Sequence, residues 1–286
     1  MWPWHDETGR LSPLKLVVLV ALFVPAARVA WHALAHELGA DPMNAAIHEI
    51  GNWTIKLIFL ALVVTPLRRI LAWPGILMVR RMVGVAAFAY AALHLTLYAV
   101  DHKLDLVKVA SEIALRYYLT IGFVALLILA ALAATSTDGM MRRLGRRWRT
   151  LHQLVYLAAL LAVVHFFMQV KADVGEPWVM AGLYAWLMLY RGLAWRRGSD
   201  RRVALATIAL LAPLAAVLTA LGEAVYYWLK TGVDPLRIVM ANFNPALGVR
   251  PAWVVLAIGL ALSLAGAVRA LAARRAPPPQ PAPRRA

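Results

Sequence analysis

Three histidines stand inside segments that otherwise hold almost no charge. His94 lies in GVAAFAYAALHLTLYAV, residues 84–100, while His152 and His165 lie in TLHQLVYLAALLAVVHFF, residues 150–167. A neutral imidazole keeps one nitrogen lone pair, so two of them facing each other can hold a metal from both sides. Two plainer readings compete: a hydrogen bond to a neighbouring helix, or a station on a proton path. The chain has no cysteine. Disulfides, thiolate metal sites and iron–sulfur ligation are therefore excluded, and any bound metal must rely on His, Met or oxygen.

The segments around these histidines decide where they sit. Of 286 residues, 62% are hydrophobic and 15% charged, and apolar runs long enough to cross a bilayer recur along the whole chain. The expected fold is an all-α, polytopic transmembrane helix bundle of about eight spans, near 14–34, 52–67, 82–100, 117–134, 151–169, 177–194, 203–221 and 252–270. The first run lacks a small-residue cleavage site and reads as a retained helix. The tail APPPQPAPRRA is Pro-rich and reads as a short disordered end.

A net charge of +16 would suggest nucleic acid in a soluble domain, but here the basic residues bracket the apolar runs. No nucleic-acid partner is expected; the partner they imply is the lipid bilayer. Counted over alternate connections, Lys and Arg number 21 on one side and 7 on the other. The positive-inside rule then places both termini in the cytoplasm, and 35–51, 101–116 and 222–251 on the opposite side. The loop 101–116 and the stretch YYWLKTG at 226–232 are expected to lie along the outer surface.

In this topology His94 and His165 enter from the same side and lie at one depth, roughly 20 Å from the inner boundary at 1.5 Å per residue. Two imidazoles at one level on different helices are what a six-coordinate heme iron needs as axial ligands. Gly84, Ala86, Ala87, Ala89, Ala91 and Ala92, with Ala158, Ala159 and Ala162, would leave room for the ring. His152 sits at the inner edge, about 140° around the helix from His165. Its counterpart on span three is Arg81 or Met82. Three roles stay open for it: ligand to a second heme with another partner, contact to a heme propionate, or a cap on the basic loop.

The basic run Arg142, Arg143, Arg146, Arg147 and Arg149 follows from topology, with a flavin or propionate contact by Arg146 and Arg147 as the functional alternative. Trp148, Tyr117 and Tyr118 read as interfacial aromatics, and Arg68 and Arg69 as a stop-transfer end. His32 and His36 with Glu37 could form a metal clip, though interfacial polar residues explain them as well. His5, His48 and His102 read as groups outside the spans.

The runs GADPMNAAIHEIGNWTIKLIFLALVVTPLRR, RRMVGVAAFAYAALHLTLY and RRWRTLHQLVYLAALLAVVHFF together resemble the ferric-reductase-like transmembrane superfamily. Within it, they resemble the heme-binding membrane subunits of bacterial methionine sulfoxide reductase systems, over residues 35 to 195. The resemblance implies b-type heme, one or two per chain, with His94, His152 and His165 as the heme-associated residues. It further implies an association with FMN, electrons drawn from the quinone pool or a cytoplasmic flavin reductase, and location in the bacterial inner membrane. The acceptor would be a periplasmic molybdopterin methionine sulfoxide reductase of the MsrP type. The expected division is a heme-binding core at 1–196, two added spans at 197–272 and the tail at 273–286; members of the group usually end near WRRGSDRR.

The rival classes predict other residues. A complete ferric reductase would carry a nicotinamide domain, yet no G-x-G-x-x-G turn is present. The chain by itself would therefore be a relay and not a complete enzyme. A proton-coupled transporter predicts inverted repeats and intramembrane carboxylates, and a cytochrome b561 type predicts four heme histidines.

Overall fold

The computed structural model describes residues 4–5, 8–170, 173–196 and 204–275. Most of the loop WRRGSDRR and all but the first residues of the expected C-terminal tail lie outside the described residues. The described chain is helical throughout, with no β-strand and one isolated bridge, His5 to Leu11. Helix α1 spans Pro13–Leu34, α2 Pro42–Ile70, α3 Leu77–Asp101, α4 Leu106–Leu115, α5 Tyr117–Ala134 and α6 Asp138–Leu144. Then follow α7 Arg146–His152, α8 Leu154–Gln169, α9 Gly175–Arg196, α10 Leu205–Thr231, α11 Pro235–Ala241 and α12 Pro251–Arg275.

Seven of these segments are long and apolar enough to span a membrane, with α7 and α8 counted as one and the turn at Pro74–Ile76 joined to α3. The eighth expected span is α9. Its 22 residues suffice in length, but Glu176, Arg191 and Arg196 lower its hydropathy below that of the other seven. It packs inside the bundle, with Trp186 and Tyr190 each 2% exposed and stacked 5.9 Å apart. Elsewhere large apolar side chains such as Val17, Val20 and Phe23 of α1 point outward, as lipid-facing surfaces do.

Helices α2 and α3 pack along each other, as do α5 and α8, and the two pairs meet through α3–α5 and α2–α8. Ile50, Ile58, Val83, Ala87, Ala158 and Ala159 close this centre. Helix α1 lies against α2 and α3, and α9 against α2 and α8.

Prolines inside the helices set local tasks for their neighbours. Pro66 has no N–H to give the Leu62 carbonyl one turn earlier, and Arg191 of α9 donates to that oxygen at 2.7 Å. Near Pro25 of α1 the Tyr90 hydroxyl enters the ladder, donating to the Leu22 carbonyl at 2.7 Å and accepting from the Ala26 N–H at 3.0 Å.

The added C-terminal helices α10 and α12 pack on each other and on α9, and α12 also reaches α2. Small residues allow the approach: Gly182 faces Thr219 and Val255, and a Cβ on Gly259 would lie 2.6 Å from that of Ala212. A buried ion pair between Glu223 of α10 and Arg250, just before α12, ties their outer ends. The residues YYWLKT are the last turns of α10 and not a surface segment, since the helix continues to Thr231. Helix α2 likewise begins ten residues before the expected span, because Asp41 caps its first turn through the Asn44 N–H and Pro42 fits the first helical position.

Candidate functional site

His94 and His165 are each fixed by a neighbouring helix. The Nδ1 of His94 lies 2.8 Å from the Ile47 carbonyl of α2, and that of His165 lies 2.8 Å from the Tyr118 carbonyl of α5. A carbonyl only accepts, so each Nδ1 carries the proton and donates it. Each Nε2 is left with its lone pair and no hydrogen-bond partner among the described residues. A metal-binding imidazole takes this tautomer and donates its other N–H to a carbonyl in this way.

A ring that reaches a carbonyl on a neighbouring helix must cross the surface of the next turn, where residue i+4 stands. Both acceptors have glycine at that position. A Cβ on Gly51 would lie 3.1 Å from the His94 ring, and one on Gly122 would lie 2.7 Å from the His165 ring. Acceptor, glycine and histidine recur with identical spacing, and each hydrogen bond joins residues 47 apart. The two helix pairs thus repeat one device. The acceptor-bearing helices both run from the poorly basic end to the basic end, so the repeat is parallel, unlike the inverted repeats of transporters.

The two rings face each other with centres 6.4 Å apart and planes at 85°. A metal sits about 2 Å from each of two coordinating imidazole nitrogens, which sets ring centres about 6 Å apart. The donor set fits a metal between two axial imidazoles. Of the small residues expected to make room, Ala87, Ala158 and Ala159 are closed into helix contacts, while a side chain at Gly84 would meet open space.

His152 is not brought to this pair. It ends α7, and a turn at Gln153, whose backbone keeps helical angles, leads into α8. Its Nδ1 lies 3.1 Å from the Trp148 carbonyl and its Nε2 3.4 Å from the Ser136 hydroxyl, and its ring stacks on Trp148 at 3.9 Å. Trp148 is more than an interfacial anchor, since its indole N–H donates to the Thr135 carbonyl at 2.9 Å. Arg81, at the corresponding point of α3, pairs with Asp138.

Known proteins resemble the chain over the segments that carry these histidines. A family model described as the ferric reductase like transmembrane component matches residues 50–163, which include Gly51, His94, Gly122 and His152 and stop two short of His165. A relative in Xanthomonas campestris pv. campestris, named protein-methionine-sulfoxide reductase heme-binding subunit MsrQ, is 41% identical over 195 residues, covering 66% of this chain and 88% of that protein. One of the same name in Herminiimonas arsenicoxydans is 36% identical over 204 residues, covering 70% and 94%. One in Caulobacter vibrioides is 40% identical over 187 residues, covering 65% and 89%. The chain belongs to the MsrQ family. No solved structure matches it.

The remaining candidates lie away from the pair. Arg146 and Arg147, the residues suggested for a flavin or propionate, open α7 as exposed side chains, with no hydrogen bond or ion pair among the described residues. His32 bonds Glu37 at 2.7 Å, His36 falls beyond the end of α1, and no metal-binding group of three His, Asp or Glu exists among the described residues. Sequence reasoning missed Gly51 and Gly122 and the two acceptor carbonyls. The one signal available was the Ile-Gly pair at 50–51 and again at 121–122.

Proposed function

We propose that this chain, like the relatives named as heme-binding subunits, is a membrane b-type heme electron-transfer subunit of a methionine sulfoxide reductase system. His94 and His165 would hold its heme iron through their free Nε2 atoms. The observation that carries this is the matched pair of Nδ1 contacts, which leaves two Nε2 lone pairs with ring centres 6.4 Å apart. When bound, the heme supplies reversible one-electron chemistry. The chain's own residues hold and shield it. The Ile47 and Tyr118 carbonyls fix each ring and raise the basicity of its free nitrogen. The packed helices around them keep water away.

The donor is the quinone pool or a cytoplasmic flavin reductase, and the acceptor is a periplasmic MsrP-like molybdopterin reductase. The protein sits in the bacterial inner membrane with both termini cytoplasmic, an orientation supported by the threefold excess of Lys and Arg on one side. His165 lies four residues before the end of α8 at the poorly basic end, about 6 Å along the axis, which suits electron exit there. FMN remains part of this reading, without a role for Arg146 and Arg147 in holding it.

The test is a reduced-minus-oxidised absorption spectrum of the detergent-purified protein, with heme and protein quantified together. A b-type spectrum at one heme per chain supports the His94–His165 pair. Two per chain call for a second site near His152. No heme after expression with ample heme supply overturns the reading.

A further inference from the structure

At the basic end of the bundle, Arg80 and Arg191 both reach α2, at Thr65 and Leu62, one turn and two turns before Arg68. Arg80 of α3 lies within electrostatic reach of Arg68 of α2, of Arg191 of α9 and of the Tyr156 hydroxyl of α8. Its Nη1 is 3.3 Å from the Thr65 hydroxyl. The Arg191 guanidinium lies over the Tyr156 ring at 5.0 Å, its Nη2 bonded to the Leu62 carbonyl and its Nη1 to the Leu187 carbonyl, so it contributes mainly charge. Arg68 and Arg80 remain exposed. Among the described residues none of the three pairs with a carboxylate, and the nearby Asp138 is taken by Arg81.

Charge topology explains why arginines are frequent at this end, but not why Arg80 lies within reach of two others. Like charges brought together repel, and that cost is offset when an anion sits between them. The anion is not a carboxylate of a group held by His94 and His165, because Arg80 precedes His94 by fourteen residues, about 20 Å along α3. Among the described residues no carboxylate supplies it.

We propose that Arg68, Arg80 and Arg191, with Tyr156 as the flanking ring, form a binding site for a phosphate group. Guanidinium forks match phosphate oxygens in pairs, and two or three positive charges suit a dianion. Thr65 lies five residues from the end of α2, so the site sits at headgroup depth. A phospholipid headgroup and the phosphomonoester of a soluble cofactor both reach that level. The inference stands apart from the heme reading.

The test uses the full chain, washed in detergent, titrated separately with short-chain phosphatidylglycerol, with flavin mononucleotide and with riboflavin. The wild type is expected to bind a phosphate-bearing ligand. The Arg68→Gln/Arg80→Gln double variant should weaken that binding about a hundredfold, roughly tenfold per guanidinium. Arg80→Lys, which keeps the charge, should lose less. The control Arg143→Gln/Arg147→Gln should bind as the wild type does. Binding of flavin mononucleotide without riboflavin identifies a phosphomonoester, and binding of the lipid alone identifies a headgroup. Heme content, read on the same samples, should not change, which shows that the variants fold and separates this test from that of the heme. No phosphate ligand bound by the wild type, equal binding of riboflavin and flavin mononucleotide without lipid binding, or unchanged binding by the double variant overturns the site.

Discussion

His94 and His165 stand with ring centres 6.4 Å apart and planes 85° from each other, each turned by a carbonyl on a different helix. The near-perpendicular setting is held by two backbone carbonyls. His94→Ala or His165→Ala should reduce heme per chain to a small fraction of the wild type, with membrane insertion intact. His152→Ala should leave most of it, because His152 is bonded to Trp148 and Ser136. Pyridine hemochrome assays on purified protein check this. An unaltered heme content and spectrum in His94→Ala would overturn the pairing.

The two glycines give a graded prediction. A methyl at Gly122 would press on the His165 ring at 2.7 Å, closer than side chains tolerate, whereas one at Gly51 meets His94 at 3.1 Å, where a small shift suffices. Gly122→Ala should therefore lower heme retention and shift the absorption bands more than Gly51→Ala. Equal effects, or none, would show that the rings are free to move. Titrating heme into both variants distinguishes these outcomes.

Tyr90 splices α1 where Pro25 disturbs its ladder, with its hydroxyl between the Leu22 carbonyl and the Ala26 N–H. Tyr90→Phe strands both groups. The expected loss is about 1–3 kcal/mol, the cost of a buried polar group left unpaired. It should appear as a lower melting temperature with an unchanged heme spectrum. A melting temperature equal to that of the wild type would mean that the kink needs no bridge.

Where the last turns of α10 meet the start of α12, Glu223 is 2% exposed and paired with Arg250, yet Glu223 Oε2 and Arg250 Nε have no partner among the described residues. Truncating one side leaves a buried charge, which costs about 3–5 kcal/mol, while replacing both by apolar residues is often nearly neutral. Glu223→Leu and Arg250→Met should each destabilise more than the double variant does. A cycle of thermal melts measures the coupling; simple additivity would argue against a buried pair.

The spans and the histidine pair were legible because a polar ring inside an apolar run is conspicuous, and because helix rise converts position into depth. The supporting contacts were not, since a carbonyl acceptor carries no residue signature: Ile47 and Tyr118 could have been any residue. The start of α2 was hidden for a related reason. PMNAAIHEIGN holds Asn, His and Glu, which look like loop, yet Asp41 and Pro42 start a helix there. His152 read as lying at the inner edge, outside the pair, and it stands there, bonded to Trp148 and Ser136. The arginines brought near one another from α2, α3 and α9 are distant in sequence, so only packing reveals them.

Asp138 ties the start of α6 to Arg81 of α3, and the hydrogen bond and charge of Arg81 hold its carboxyl below the usual carboxylate range. Its ionised form is thus favoured more in the folded chain than in the unfolded one. The contact contributes fully above the unfolded value, about 4, and is lost as pH falls through the lower folded value. Asp138 is exposed, so the effect is small. Melting temperatures of the wild type and Asp138→Asn should differ above pH 5 and converge toward pH 3. A gap that stays constant across that range would mean that Asp138 acts through shape or helix capping and not through its charge.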